Sequence, residues 1–458
     1  MRIFSKCCFS SLLGSMLAVT AFGRQQANTD QQRTAGTQVV ARTMDDLRER
    51  ILLDRIEQLE KRLAEVEGRT ASAQAPAPGA PATTAPGAQD PAPTSTPSAQ
   101  EPAAPAPPTW SAGPIDFSGR VSAYYTYNAN HPASMNNQLY NFNVKANQLS
   151  LDMAEFNLSH GADPIGFELD LGFGRAFDII AGSEQQPTIF RNIRQAYVSL
   201  KPSESKGLEV DFGKFVTSAG AEVIETDTNW NYSHSLLFAW AIPYYHFGIR
   251  TSFPVGKHFT GGFQVVNGWN NVEDNNSGKT LGLTGALVTK LFSWFTSYYA
   301  GPENAATNNG WRNLFDTTLL LTPPGKVNAY INFDYAQNKL PTGALTVTGK
   351  DTGKWYGIAA AVHLQAASKW AFTPRVEWFK DRDGLAIGGP PQDMKEFTIT
   401  GEYKMVEGLF GRAEYRRDWS NQPFFFRGSA VNGTTGFGTY KNQGTLSLGV
   451  LAFFGPKR

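Results

Sequence analysis

The chain has 458 residues, a formal net charge of +1, 12% aromatic residues, 44 glycines and two cysteines. This balance supplies no concentrated basic surface of the kind that binds nucleic acid, and beyond the first residues no apolar run of about 18 residues could cross a bilayer as a helix. A mean hydropathy of −0.32 suits a soluble protein, but an antiparallel membrane barrel averages an apolar outer face with a polar inner one and gives the same figure.

The first element, residues 1–23, is expected to be a signal peptide. Arg2 and Lys6 supply a positive start, the segment from Phe9 to Phe22 a short apolar core, and Ala21-Phe22-Gly23 small residues for cleavage. Cys7 and Cys8 precede that core, so the exported chain lacks cysteine, which excludes disulfides, thiol catalysis and cysteine-ligated metal. A polar stretch, 24–43, leads to residues 44–68. There Leu52, Ile56, Leu59, Leu63 and Val66 are spaced four, three, four, three, the seam of a short coiled-coil helix, with Glu57 and Lys61 an i,i+4 pair. At this length the helix is marginal as a free monomer, so self-association is expected, with a homotrimer favoured. Residues 69–113 are dominated by Ala, Pro, Thr, Ser, Gly and Gln, a composition that cannot bury a core and reads as a disordered Pro/Ala-rich linker.

From residue 114 to 458 the pattern becomes strands. Sixteen, to within two, are expected to begin near Ile115, Asn147, Ile165, Asn192, Gly207, Tyr244, Lys257, Thr280, Phe292, Arg312, Lys326, Gly353, Lys369, Lys395, Gly408 and Gln443. Most run for about ten residues, as tilted membrane-spanning strands do. The connections alternate. Long segments (128–146, 175–191, 216–243, 267–279, 301–310, 337–352, 381–394, 420–442) take turns with tight ones such as Gly161 to Pro164 and Pro323 to Gly325. An up-and-down barrel with elaborate outer loops and clipped periplasmic turns does this by construction; a Greek-key sandwich does not. The expected fold is therefore all-β, a transmembrane antiparallel up-and-down barrel of about 16 strands. An even strand number puts the C-terminus and the N-terminal arm on the same, periplasmic, side.

Side-chain parity then assigns the faces. In GFELDLGFG, 166–174, Phe167, Leu169 and Leu171 oppose Glu168 and Asp170. In a soluble sheet the charges would line the outside, but a closed barrel of this circumference could not fill its interior with side chains. Outer-membrane lipid is thus expected against the apolar face. The lumen is expected to be lined by Arg120, Glu168, Asp170, Glu209, Asp211, Asp334, Arg375, Glu377, Glu402, Arg412, Glu414 and Arg416. Tyr124, Tyr197 and Tyr330 have lumen parity too, with packing at the wall as their favoured role.

The longest internal loop follows the fifth strand, and its Ser235 to Ile242 portion is too apolar to stand in water. It is expected to fold into the barrel, rest on the wall and narrow the bore. Glu222, Glu225 and Asp227, opposed nearby mainly by Lys214, form the candidate constriction, and a charged ring there implies a mild cation preference. The alternative is an exposed loop with solvated acids. Catalytic signals are weak. Gly278-Lys279-Thr280 lacks the upstream glycine of a phosphate loop, the six histidines are scattered, and His234 beside Ser233 or Ser235 is the one local pair worth naming. No catalytic residue, cofactor or metal site is assigned.

The segment VDFGKFVTSAGAEVIETDTNWNYSHSLLFAWAIPYYHFGIR, 210–250, resembles the OmpL-like β-barrel porins of bacterial outer membranes. The likeness rests on the glycine-lysine-phenylalanine end of strand five, on Gly220 to Val223, on Asn-Tyr-Ser at 231–233, and on Pro243 followed by His246-x-Gly248. It extends in pattern from about Ile115 to Phe454. The resemblance implies a channel-type outer-membrane protein and carries over no catalytic residue. The final strand runs on through Gly455 to Arg458 instead of ending on an aromatic residue, so Phe453 or Phe454 is expected to serve as an internal assembly signal. The reading favoured throughout is a porin for passive diffusion of small hydrophilic solutes or ions. The alternative is an envelope protein anchoring the outer membrane to the cell wall through its coiled-coil arm, and a barrel hydrolase ranks last.

Overall fold

The computed structural model describes residues 111–112, 115–184 and 190–455. The expected signal peptide, polar stretch, coiled-coil helix and all but Ser111–Ala112 of the linker lie outside them.

Sixteen strands, each hydrogen-bonded to its sequence neighbours, make one closed antiparallel barrel. They are β1 Ile115–Asn128, β2 Leu149–His160, β3 Ile165–Phe173, β4 Ile193–Leu200, β5 Glu209–Val216, β6 Tyr245–Val255, β7 Phe259–Val266 and β8 Thr280–Val288, followed by β9 Phe292–Gly301, β10 Arg312–Leu321, β11 Val327–Lys339, β12 Thr352–Gln365, β13 Trp370–Asp381, β14 Gln392–Val406, β15 Leu409–Ser420 and β16 Asn442–Phe454. Pairing of β16 with β1, from Thr445 opposite Asn128 to Phe454 opposite Gly119, closes the ring. The stub Ser111–Ala112 pairs with the start of β1. Closure leaves no ladder edge unpaired, which hydrocarbon requires.

The alternation of loops holds at every connection, so the tight turns share one end and the long loops the other. The parity also holds. Phe173, Val198, Phe212, Leu283, Ile331, Val376 and Leu448 are exposed on the outer face, whereas Asp170, Asp211, Asp334, Arg375 and Arg416 are buried within. An apolar exterior of this extent is unfavourable in water and favourable against lipid. Aromatics frame it. Trp370 packs 4.6 Å from Tyr403 near the tight turns, while Tyr356 lies 6.1 Å from Tyr335 and 5.6 Å from Trp378 toward the long loops. Such girdles sit at membrane interfaces.

Among the described residues two short α-helices break the loops, α1 (Arg175–Ile180) and α2 (Leu236–Trp240). Both turn apolar side chains inward: Phe177, Ile180, Leu236 and Leu237 join Leu139, Phe142, Phe424 and Phe425 in a buried cluster built by loops from four connections.

Candidate functional site

The loop between β5 and β6, residues 217–244, lies inside the barrel. Its apolar portion forms α2, with the Ser235 hydroxyl accepting from the Phe238 amide 3.0 Å away as the N-cap. The helix rests on β12 and β13. Glu377 accepts from the Leu236 amide at 2.7 Å, and the Trp355 indole donates to the Ala241 carbonyl at 3.1 Å. Gly357 makes room for this contact, since a Cβ there would stand 2.7 Å from the Leu237 side chain. The loop between β1 and β2 covers the other side, with Phe142 6.0 Å from Phe238 and the Trp240 indole donating to the Leu139 carbonyl.

Wall arginines hold the polar half. Arg375 Nη1 lies 2.7 Å from Glu222 and donates to the Ser233 carbonyl at 2.7 Å. Arg194 pairs with Glu225, and Arg120 meets Asp227 at 2.7 Å. Arg412 donates to the carbonyls of Thr226, Asn229 and Asn231, and Arg416 to that of His234 at 2.7 Å. Glu414 completes the set by accepting from the amides of Tyr232 and Ser233. Loop backbone that would be unsatisfied inside a barrel is thereby bonded by charged side chains.

The loop carboxylates respond differently to this setting. Burial raises the Glu225 carboxyl, but Arg194 and Arg120 outweigh it and hold the group below its usual range. At Asp227 burial prevails over Arg120 and the group lies above that range. Burial lowers the proton affinity of His234.

The structure therefore places Glu222, Glu225 and Asp227 in the lumen, each against an arginine. The expected opposition by Lys214 is not what is found. Lys214 pairs across the ladder with Ala196 and has the outward parity of Phe212 and Val198. Its ammonium lies 3.9 Å from the Tyr245 ring centroid and makes no ion pair with the three acids among the described residues. Nearness in sequence had suggested a partner that strand parity turns away.

The charges expected in the lumen all have inward register, and most are paired. Asp170 meets Arg194 at 2.6 Å, Asp211 meets Arg250 at 2.6 Å, Glu402 meets Arg412 at 2.8 Å, and Glu377 lies 3.1 Å from Arg375. Glu209 is half-exposed, 3.8 Å from Lys201; Glu168 faces Tyr197 across the ladder. Asp334 faces Asp316 across the ladder. The three tyrosines pack: Tyr124 5.9 Å from Tyr232, Tyr330 5.4 Å from Trp230, and Tyr197 under Arg250. His234 is wedged between Phe142 and Phe238, Ser235 caps a helix and Ser233 contacts Arg375, so this trio is used for packing and latching.

Sequence reasoning missed Arg194, Glu155, Arg250 and Glu396. A register shift between Asp170 and Leu171 bulges the β4 side, turning Arg194 inward beside Gln195, a break that simple alternation hides. Glu396 has the parity of Glu377, its cross-strand partner, and extending the alternation along β14 would have found it.

Beneath the loop, toward the tight turns, a cavity of about 610 Å³ is lined by Arg120, Glu225, Asp227, Trp230, Glu402 and Arg412, among others. A closed barrel with a lipid-facing skin, a charged interior and a loop folded across the bore has the build of a diffusion channel. The family described as putative beta-barrel porin-2, OmpL-like, matches residues 114–454.

The chain belongs to that family. It is an outer-membrane porin, a channel protein. Among solved structures, OmpF of Salmonella typhi in complex with daunomycin is 15% identical, with 74% of this chain and 97% of that chain covered and a TM-score of 0.49. The outer membrane channel DcaP of Acinetobacter baumannii is 12% identical over 74% and 97%, with a TM-score of 0.49. OmpT of Vibrio cholerae is 12% identical over 76% and 100%, at 0.48. No curated protein matches the chain.

Proposed function

We propose that this porin passes small hydrophilic solutes or ions passively, and that the loop after β5 sets the narrowest part of its bore. The observation that carries this reading is the latch of Arg375, Arg412, Arg416, Glu377 and Glu414 on loop backbone, which fixes the loop across the lumen. Glu222, Glu225 and Asp227 each meet an arginine, but Arg375 and Arg194 are each shared among three carboxylates, so acids outnumber arginines around the loop. The constriction is accordingly expected to favour cations mildly, and less than a ring of free acids would. Swelling of proteoliposomes in sugars of graded size tests the reading: entry of the smallest solutes with a sharp size limit is expected, and no entry of any solute would defeat it.

The N-terminal arm and C-terminus are assigned to the periplasm, because β1 begins and β16 ends at the tight-turn end. Residues 44–68 are proposed to join protomers, with a trimer favoured by the heptad seam. Contact of that arm with the cell wall is the second role proposed for it, and deleting residues 24–112 separates channel from anchor, since conductance should survive while wall retention is lost.

A further inference from the structure

A second cleft, of about 870 Å³, lies outside the bore at the long-loop end of β10, β11 and β12. Trp311, Asn313, Gln337, Lys339 and Lys354 contribute to it, beneath the loop from Leu340 to Asp351. Register fixes its side of the wall. Gln337 and Lys339 share parity with exposed Ile331 and Phe333, Asn313 with exposed Phe315, and Lys354 with exposed Ile358, while Ala336 and Asn338 between them are buried inward. The cleft therefore opens toward the surrounding membrane.

Its height is given by what lies below. Tyr298 donates to the Asn313 side chain at 2.8 Å, and Tyr335 and Tyr356 stack just beneath Gln337 and Lys354. An aromatic belt of this kind marks the boundary between acyl chains and headgroups. Immediately above it are amide side chains, an exposed indole and two ammonium groups that make no salt bridge among the described residues. The cationic character continues around the wall. Lys395 is exposed beside Trp378, whereas Lys380 is taken up by Asp393, 3.5 Å away. On the opposite arc the rim differs, because Arg175 and Arg191 are both occupied by Asp178, at 3.0 and 3.3 Å.

Amide and indole groups suit a saccharide, unpaired lysines suit phosphate, and the apolar wall below suits acyl chains. We propose that this cleft binds the phosphorylated saccharide headgroup of an outer-leaflet glycolipid, with its acyl chains lying along the β10–β12 wall. The single acid of the cleft, Asp351, is exposed at its edge and would be tolerated by a ligand held through two phosphates.

The experiment measures retention of bis-phosphorylated lipid A by the full-length folded porin in neutral detergent, against enzymatically dephosphorylated lipid A and phosphatidylglycerol. The intact glycolipid is expected to bind at least about tenfold more tightly than either. The variant K339Q/K354Q should lose that advantage, K339R/K354R should keep it, and R175Q/R191Q on the far arc should match the wild type. All these side chains are at the surface, and the heat-modified gel shift confirms folding of each variant. Equal binding of the dephosphorylated lipid or of phosphatidylglycerol, or unchanged lipid A binding by K339Q/K354Q, would overturn the proposal. Conductance is independent of this result, so failure here leaves the channel reading intact.

Discussion

Arg375 on β13 and Glu222 on the loop after β5 are 153 residues apart in sequence and 2.7 Å apart in space. Arg375 is fully buried and also lies 3.1 Å from Glu377 and 3.3 Å from Glu396, so one guanidinium holds three carboxylates together inside the barrel. Such a group confers little net stability over an apolar replacement, but removing Arg375 leaves buried like charges with only Arg416, 3.9 Å from Glu396, to offset them.

The two halves of that pair are therefore unequal. Arg375→Gln should destabilise the latched loop by about 3–5 kcal/mol, the usual cost of orphaning a buried charge. Glu222→Gln, which leaves two carboxylates for Arg375, should cost clearly less. Protease nicking between Glu222 and Ser235 in the folded, detergent-solubilised protein checks this, with faster nicking in R375Q than in E222Q.

Gly357 offers a steric test that changes no charge. A Val at this position would press its Cβ toward Leu237, which the glycine now admits at 2.7 Å, and toward the Trp378 carbonyl at 2.6 Å. Gly357→Val should lift α2 from the wall and increase ion current per channel, measured in a planar bilayer. An Ala→Val change outside the latch, at Ala413 on the lipid face, should leave the current unaltered.

His234 gives the latch a pH dependence. Burial lowers its affinity for protons in the latched loop, while a released imidazole titrates near 6.5. Below about 6.5 the released state binds the extra proton, so latching weakens as pH falls, and it is strongest above that value. Glu225 acts lower, because its depressed carboxyl contributes stability above the usual carboxylate range and loses it as pH falls through the latched value. Loop nicking should accelerate between pH 7.5 and 5.5 in the wild type, and His234→Gln should flatten that interval.

The barrel itself was legible because alternation and loop length are local properties. Phe167, Leu169 and Leu171 against Glu168 and Asp170 needed only the two-residue period, and the tight turns needed only proline, glycine and polar clusters. The apolar run Ser235 to Ile242 likewise announced that its loop would be covered. The latch was not legible. Which arginine meets Glu225 depends on which strand stands across the lumen, and Arg194 faces inward only through a bulge. Lys214 misled for the converse reason: it adjoins the loop in sequence, but parity points it out of the bore.

The inside-out assignment makes a prediction of its own. Val376 is exposed in the middle of β13, next to inward-facing Arg375 and Glu377. Val376→Lys should cost about 2–4 kcal/mol of folding free energy in a bilayer, the penalty of a cation near its midplane. Thr398→Lys, on the lumen face of the next strand, should be governed by the local ion pairs instead. Urea titration into and out of lipid vesicles measures both.

The central claim, a solvent-filled bore narrowed by a latched loop, is tested most directly by single-channel recording of the wild type and of R375Q/R412Q. Small, uniform current steps are predicted for the wild type, with larger and noisier steps once the two arginines release the loop. Identical steps from both proteins would contradict the latch, and folded protein inserted in the bilayer without any current from either would contradict the channel.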